Sequence, residues 1–341
     1  MCATAEKSED AVLRFAIPSK GSLYDGTLSF LDSCGLKISR TNPRRYTATI
    51  RALPQSDVLL NRPADIVDKV ATGEIDLGIS GLDLVEELRG DRDDLLMIYD
   101  DLGFGGAELV VAVPETWIDV TSWSDLADLA VELHHQGSAL RIATKYTSLM
   151  RRFCQTHGIT YYRLLDSQGA TEAMPGLGQA DVVADITETG TTLRDNNLKI
   201  VGGTILRTQA CLIASRRSLR GATAKLQTLR TMLELMDARR RARRYVQVTA
   251  NIAGSSVEDV GRRITARPEL AGMQGPTIAP VWSRELGERS WFMVTLVVPQ
   301  DTVLTLVDHL RDLSGDGIAV VPTQYIFEAQ SRSYAELLDQ L

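Results

Sequence analysis

Long apolar runs are missing from this chain. No stretch of its 341 residues approaches the ~18 consecutive apolar positions of a membrane-spanning helix. Positive charge is not in excess either. Lys and Arg number 37 against 44 Asp and Glu, a net charge of −7, which argues against non-specific binding to nucleic acid or an anionic membrane while leaving room for a local basic pocket. The opening residues, MCATAEKSEDAVLRF, carry acids and lack the apolar core of a signal peptide. Residues 1–10 are therefore read as a disordered tail and the protein as cytoplasmic. Cysteine is scarce and scattered: Cys2, Cys34, Cys154 and Cys211 form no C-x-x-C pair, as expected for free thiols in a reducing compartment. Histidine occurs four times, paired only at His134-His135, so no His/Cys metal cluster is visible.

What is present is a soluble globular composition, 44% apolar and 24% charged, long enough for two or three domains. The most informative stretch is Gln179–Arg194, QADVVADITETGTTLR. Ala180–Ile186 is an apolar, Val-rich run that predicts a buried strand. The hydroxylic turn Thr187-Glu188-Thr189-Gly190-Thr191-Thr192 follows it. Such a turn can aim backbone N–H groups and hydroxyls at a phosphate. Asp185 and Glu188 flank it and suit sugar hydroxyls or a Mg²⁺-bearing phosphate, so the pattern suggests a phosphorylated sugar. Ordinary Thr capping of a helix produces the same local sequence.

Along the chain, Leu13–Pro18 predicts a first strand. Lys20-Gly21-Ser22 at its end, before a helical pattern closed by Gly35, is a second anion-site candidate. Residues 36–60 read as strands carrying Arg44, Arg45 and Arg51, either phosphate ligands or a solvated face. A short helix follows Pro63, then the strand Glu74–Asp83, in which Gly78 and Gly81 imply close backbone approach, either to a ligand or to another strand. Gly103–Gly106 precedes the strand Glu108–Val113, and a helix with Trp117 and Trp123 lies within 115–138. Leu140–Thr144 leads into Lys145-Tyr146-Thr147-Ser148 and a helix, repeating the design of residues 13–35. Tyr161–Leu165 is a short strand, and Gly169–Gly178 carries Glu172 on a helix interrupted near Pro175. Lys199–Leu206 and Gln209–Ser215 are strands, and 218–244 is one long helix ending in an Arg-rich run. Residues 245–329 follow a βα-β-βα-β, ferredoxin-like order. Alternation through 12–215 argues for α/β with mostly parallel sheets. It is compatible with two lobes joined by two crossing segments, and the sites after Pro18, Ile79, Thr144 and Ile186 all fall at strand carboxyl ends.

Taken together, Pro18–Leu23 (PSKGSL), Gly73–Gly81 (GEIDLGISG), Arg141–Tyr146 (RIATKY), Asp185–Leu193 (DITETGTTL) and Pro276–Pro280 (PTIAP) closely resemble the ATP phosphoribosyltransferase family in its long form, from about Leu13 to Phe327. The resemblance implies a two-lobed catalytic part like a type II periplasmic binding protein, with a C-terminal ferredoxin-like (ACT-like) regulatory domain. It divides the chain into lobe I at 11–112 and 204–243, lobe II at 113–203, a regulatory domain at 244–330 and a tail at 331–341. It implies transfer of phosphoribosyl from phosphoribosyl pyrophosphate to N1 of ATP with Mg²⁺, the first step of histidine biosynthesis. Inhibition by histidine and assembly as a hexamer, or a dimer when active, are also implied. On this resemblance Thr187, Glu188, Thr189, Gly190, Thr191 and Thr192 bind the phosphoribosyl group, and Glu172 and Asp185 hold ribose hydroxyls or Mg²⁺. Lys20, Gly21, Ser22, Arg51, Arg62, Asp76, Gly81, Lys145 and Tyr146 serve the ATP and pyrophosphate side. Asp76 also reads as a turn cap. Asn251, Thr277 and Thr323 fall where the family binds histidine. The chain departs from the pattern in a longer, Arg-rich segment at 41–62 and in Ser22, where some relatives carry Arg. The alternative reading is a non-catalytic phosphoribosyl- or solute-binding protein on the same scaffold; an appended regulatory domain is unexpected there.

Overall fold

The apolar runs become strands, and the amphipathic segments between them become the helices that cover the sheets. The computed structural model describes residues 11–40, 42, 44–90, 92–167, 169–282 and 290–341; the expected tail at 1–10 lies outside them. The chain divides into two units. One comprises residues up to Arg230 together with Ala335–Leu341, and the other is Thr231–Tyr334.

The first unit opens with β1 (Leu13–Pro18), α1 (Ser22–Ser33), β2 (Ile38–Ser39), β3 (Thr47–Ile50) and β4 (Ser56–Asn61). It continues through α2 (Pro63–Thr72), β5 (Leu77–Gly81), α3 (Leu82–Leu88) and β6 (Leu95–Tyr99). The chain then crosses into β7 (Ala107–Pro114), α4 (Trp123–His135), β8 (Leu140–Thr144), α5 (Thr147–Thr156) and β9 (Tyr162–Asp166). After β10 (Val182–Thr187), α6 (Thr191–Asp195) and β11 (Leu198–Thr208) it returns as β12 (Ala210–Ser215), then α7 (Arg216–Leu219) and α8 (Thr223–Ala242). These strands make a seven-stranded sheet, β2-β3-β4-β1-β5-β12-β6, and a five-stranded sheet, β11-β7-β10-β8-β9. This is the two-lobed arrangement expected.

Each lobe has its own core. Ile66, Val67 and Val70 of α2 pack with Ile75, Val85 and Ile213 in one. Leu126 and Ala130 of α4 pack with Phe153, Ile142 and Val182 in the other. The close approach at Gly78 comes from a helix and not from a ligand or another strand: a Cβ there would collide with Ile66 of α2.

Three details depart from the sequence reading. The sheets are mixed. β4-β1-β5 and β10-β8-β9 are parallel, but β12 and β7 run antiparallel to their neighbours, because the two crossing segments bring the chain in from the other lobe. The lobe boundaries also move. β7 and β11 pair along their lengths within the second sheet, so the crossings fall at 100–106 and at Gln209 rather than at 113 and 203. Finally, the long helix expected at 218–244 is two helices, split where Gly221 takes φ 75, a left-handed conformation that suits glycine.

The second unit contains β13 (Tyr245–Gly254), α9 (Val257–Thr265), β14 (Thr277–Pro280), β15 (Ser290–Pro299), α10 (Val303–Asp312) and β16 (Asp316–Pro322). Its sheet order, β14-β15-β13-β16, is antiparallel throughout, the ferredoxin-like order expected. Ile252, Val294 and Leu296 meet Val260, Ile264, Leu306 and Leu310 of the two helices in its core. The Arg-rich end of α8 is built into this unit: Arg241 pairs with Glu328 and Arg239 donates to the Gln324 carbonyl. Residues 331–341, expected as a tail, form α11 (Arg332–Gln340). The Ser331 hydroxyl accepts from Tyr334 N–H, Asp237 accepts from the Ser331 and Ser333 hydroxyls, and Leu337 is buried. Capping by Ser331 is the local cause.

Candidate functional site

β10 delivers its chemistry at its carboxyl end. Asp185 and Thr187 lie two residues apart and so share a face of the strand, and the chain turns sharply after Thr187. Gly190 takes φ 72, and its N–H donates to the Thr187 hydroxyl at 2.8 Å. The Thr189 and Thr191 hydroxyls bond to each other at 2.9 Å. From the neighbouring parallel strand β8, Lys145 reaches Asp185 with Nζ 3.5 Å from Oδ1, and Ile186 N–H donates to the same oxygen at 2.8 Å. Lys145 also lies over the Tyr146 ring, 4.9 Å from its centroid. Glu172 arrives on a single 3₁₀ turn, Thr171–Ala173, in place of the longer helix expected.

These residues enclose one cavity of 420 Å³, lined by Lys145, Glu172, Asp185, Ile186, Thr187, Glu188, Thr189, Thr192 and Leu193. That is ample for a sugar phosphate. The turn, both candidate carboxylates and Lys145 are thus brought together as a cation, three acids and a set of hydroxyls. Among the described residues no group of three or more His, Cys, Asp or Glu side chains forms a metal cage. Glu172 and Asp185 both line the cavity and fit a Mg²⁺ that would arrive with a substrate's phosphates, since Mg²⁺ is commonly held by one or two carboxylates plus phosphate oxygens.

The other candidates distribute over two edges of the first sheet. Pro18 pairs with Asn61, so Lys20, Gly21 and Ser22 after β1 and Arg62 after β4 lie at the same carboxyl edge. Tyr46 O accepts from Leu60 N–H, which brings Arg45 and Tyr46 to that edge as well. Gly81 ends β5 there and precedes α3. Arg51 does not join them. It follows β3, which runs antiparallel to β4, and so emerges at the opposite edge. Asp76 is also at that opposite edge and is fully buried. Its carboxylate accepts from Arg14 N–H at 2.7 Å and pairs with Lys225 at 2.9 Å. Arg14 and Pro18 are four residues apart on β1, about 13 Å, so Asp76 is a structural acid and the nucleotide role expected for it is withdrawn.

Tyr146 is corrected too. It is fully buried, and its hydroxyl donates to Asp83 Oδ2 at 2.5 Å. Burial first, and then the Asp83 carboxylate, raise its pKa far above the ordinary phenol. Asp83 and Glu87 of α3 are residues that the sequence reading missed. Asp83 also accepts from the Thr208 hydroxyl, and Glu87 accepts from Ser148 and Leu149 N–H at the start of α5. A carboxylate on a helix N-terminus is favourable, and here it fastens lobe to lobe so that the carboxyl edges of the two sheets meet at this contact. In sequence, Asp83 and Glu87 look like ordinary helix acids. In the second unit, Asn251 pairs opposite Met293, Thr277 opposite Thr295, and Thr323 donates to the Ala242 and Tyr245 carbonyls. Tyr245 and Asn251 lie six residues apart on β13, about 20 Å, so Thr323 and Asn251 do not share a site within that unit.

Two family models match this sequence. The one described as ATP phosphoribosyltransferase covers residues 62–235, and the one for the HisG C-terminal domain covers 242–325. ATP phosphoribosyltransferase 2, chloroplastic, of Arabidopsis thaliana is 37% identical over 334 residues, 96% of this chain and 80% of that protein. ATP phosphoribosyltransferase of Rhodopseudomonas palustris (strain BisB18) is 36% identical over 325 residues, 94% of this chain and 96% of that one. Among solved structures, the ATP phosphoribosyl transferase (HisG:HisZ) complex from Thermotoga maritima has a chain with a TM-score of 0.51 and 24% identity. The match covers 66% of this chain and 98% of that one.

Proposed function

Because the chain belongs to the ATP phosphoribosyltransferase family, and is thus a pentosyltransferase, we propose that it joins phosphoribosyl pyrophosphate to N1 of ATP. The products are N1-(5-phosphoribosyl)-ATP and pyrophosphate, in the first step of histidine biosynthesis. The observation that carries this reading is the convergence of Thr187, Glu188, Thr189 and Thr192 of the turn with Asp185, Glu172 and Lys145 on one cavity, which Gly190 and Thr191 do not line. In the proposed mechanism the adenine N1 lone pair forms a bond to ribose C1 as the C1–O bond to pyrophosphate breaks and its electrons leave with pyrophosphate. That nitrogen carries no proton, so no strong general base is needed. The protein positions two anionic substrates and stabilises an oxocarbenium-like state. Hydroxyls of the turn hold the 5-phosphate. Asp185 and Glu172 accept from the ribose hydroxyls and lie near developing positive charge. Lys145, drawn to Asp185, offers a cation to the leaving pyrophosphate.

Glu172 and Asp185 would hold Mg²⁺, which when bound offsets the pyrophosphate charge. Lys20, Arg62 and the adjoining Arg45 form a cationic edge suited to the ATP phosphates, with the exposed Gly21 and Ser22 beside them; Gly81 is buried, and its missing Cβ makes room for Asp83. The ferredoxin-like unit would bind histidine as inhibitor. The separation of Thr323 from Asn251 favours a histidine site on the Asn251–Thr277 side or one completed by a second copy, consistent with a homo-oligomer. No described helix is long and apolar enough to cross a membrane. The test is product formation from ATP and phosphoribosyl pyrophosphate with Mg²⁺, with and without histidine. A phosphoribosylated nucleotide whose formation histidine suppresses supports both halves. Turnover indifferent to histidine refutes the regulatory half, and binding without turnover refutes the enzyme.

A further inference from the structure

The phosphate turn is braced from behind by a residue outside the cavity lining. Arg194 Nη2 donates to the Thr189 carbonyl at 3.2 Å and to the Thr191 hydroxyl at 3.3 Å. Among the described residues Arg194 has no carboxylate within ion-pair distance, and its side chain is exposed. We propose that Arg194 is a positioning residue for the 5-phosphate: it fixes the peptide plane of the turn and polarises its hydroxyl pair toward an anion. This rests on the phosphoribosyl reading above and deepens it.

Two pieces of chemistry carry the proposal. In a trans peptide the carbonyl and the following N–H point in opposite directions. Arg194 draws the Thr189 carbonyl to its own side and so directs the Gly190 N–H toward Thr187, whose hydroxyl accepts it at 2.8 Å. Thr187 lines the cavity. The Thr187 hydroxyl only accepts in that bond and so keeps its proton to donate. The second piece is a proton count. A hydroxyl carries one donor and two acceptor sites. The Thr191 oxygen accepts from Arg194 and shares one proton with Thr189 across 2.9 Å. Whichever of the two supplies that proton, the other hydroxyl of the pair is left with a proton to give. Hydrogen-bonded chains polarise one another, so the guanidinium makes that remaining proton a better donor. The guanidinium at the turn also offsets Glu188, while Lys145 offsets Asp185; both acids would otherwise repel a phosphate.

The test compares wild type with Arg194→Met, Arg194→Gln and Arg194→Lys in the full chain. The readouts are kcat and the KM of each substrate, together with competition by ribose 5-phosphate. Arg194→Met is expected to raise KM for phosphoribosyl pyrophosphate about ten-fold, the scale of one charge-assisted contact discounted for exposure. The inhibition constant of ribose 5-phosphate should rise in parallel, while KM for ATP and the melting temperature stay at wild-type values. Loss of a remote, non-reacting contact of this kind shows in KM rather than kcat. Arg194→Gln, which loses the charge, is expected to behave likewise, and Arg194→Lys to recover part of the loss. Wild-type KM in both Met and Gln variants overturns the proposal, as does an equal rise in KM for ATP. A wild-type enzyme that neither uses phosphoribosyl pyrophosphate nor binds ribose 5-phosphate overturns the underlying reading instead, and is seen before any variant is made.

Discussion

Removing Lys225 should destabilise the first unit severely while leaving its chemistry intact. Lys225 Nζ lies 2.9 Å from Asp76 Oδ1, and the two side chains are 7% and 0% exposed. The second Asp76 oxygen already accepts from Arg14 N–H. In Lys225→Met the carboxylate keeps that one neutral donor and loses its cation in a fully buried site. Breaking a buried pair from one side costs about 3–5 kcal/mol. For a unit of this size each kcal/mol moves the melting temperature by about 2–4 °C, so the expected drop is roughly 6–20 °C. Asp76→Asn should fall in the same range, because it strands the ammonium. The double variant Asp76→Asn/Lys225→Met should recover much of the loss, since it leaves no uncompensated charge. Melting would be followed by circular dichroism, with turnover assayed well below the lowest midpoint. Single variants that melt within about 3 °C of wild type would refute the energetic argument. A folded Asp76→Asn enzyme with collapsed kcat/KM would refute the assignment of Asp76 to structure and return it to the substrate.

Other perturbations probe separate parts of the account. Gly190→Val forces a β-branched residue into a left-handed conformation, at about 1–2 kcal/mol of strain, and disturbs the Thr187 contact; kcat/KM should fall at least ~100-fold in this variant and in a folded Thr192→Val, and wild-type rates in either would sink the turn assignment. Tyr146→Phe removes the buried donor to Asp83 and should cost about 2 kcal/mol in a thermal melt. The Tyr146 pKa is raised in the folded state, by burial and then by Asp83. Its contribution is therefore complete below the unfolded value of about 10 and lost as pH rises above it, so alkaline destabilisation should be smaller in Tyr146→Phe. Ser122 caps α4 and Asp125 closes the box; Ser122→Ala should cost about 1 kcal/mol. Asp125 is lowered from 3.8 to about 2, chiefly by N–H bonds from Thr121 and Ser122. Its contribution is present above 3.8 and lost as pH falls toward 2, so the melting difference between wild type and Asp125→Asn should shrink over that window.

What the sequence disclosed was local. The strand Leu13–Pro18, the hydroxylic turn after β10 and the βα-β-βα-β order of the last unit depend on periodicity and neighbouring residues. All three are in the structure. What it concealed was set by partners far along the chain. Asp76 finds Lys225 149 residues away, and Tyr146 finds Asp83 63 residues away. Nothing beside Asp76 distinguishes a carboxylate aimed at a ligand from one aimed at a lysine on α8. Arg51 failed for a related reason: antiparallel pairing of β3 carried it to the far edge of the sheet, and a strand's direction is not written in its composition. The helix at 332–340 is locally legible too, since Ser331 stands at the capping position ahead of an amphipathic run, but it lies beyond the stretch from Leu13 to Phe327 that carries the resemblance.

The most direct measurement of the central claim is hydrogen–deuterium exchange of the full-length protein with and without phosphoribosyl pyrophosphate and Mg²⁺. Peptides spanning 185–194 should gain protection, with a smaller gain at Lys145 and around Glu172, while the strands of the first sheet's far edge stay unchanged. Saturating ligand that leaves 185–194 exchanging at the free-enzyme rate, with protection arising elsewhere, would contradict the account.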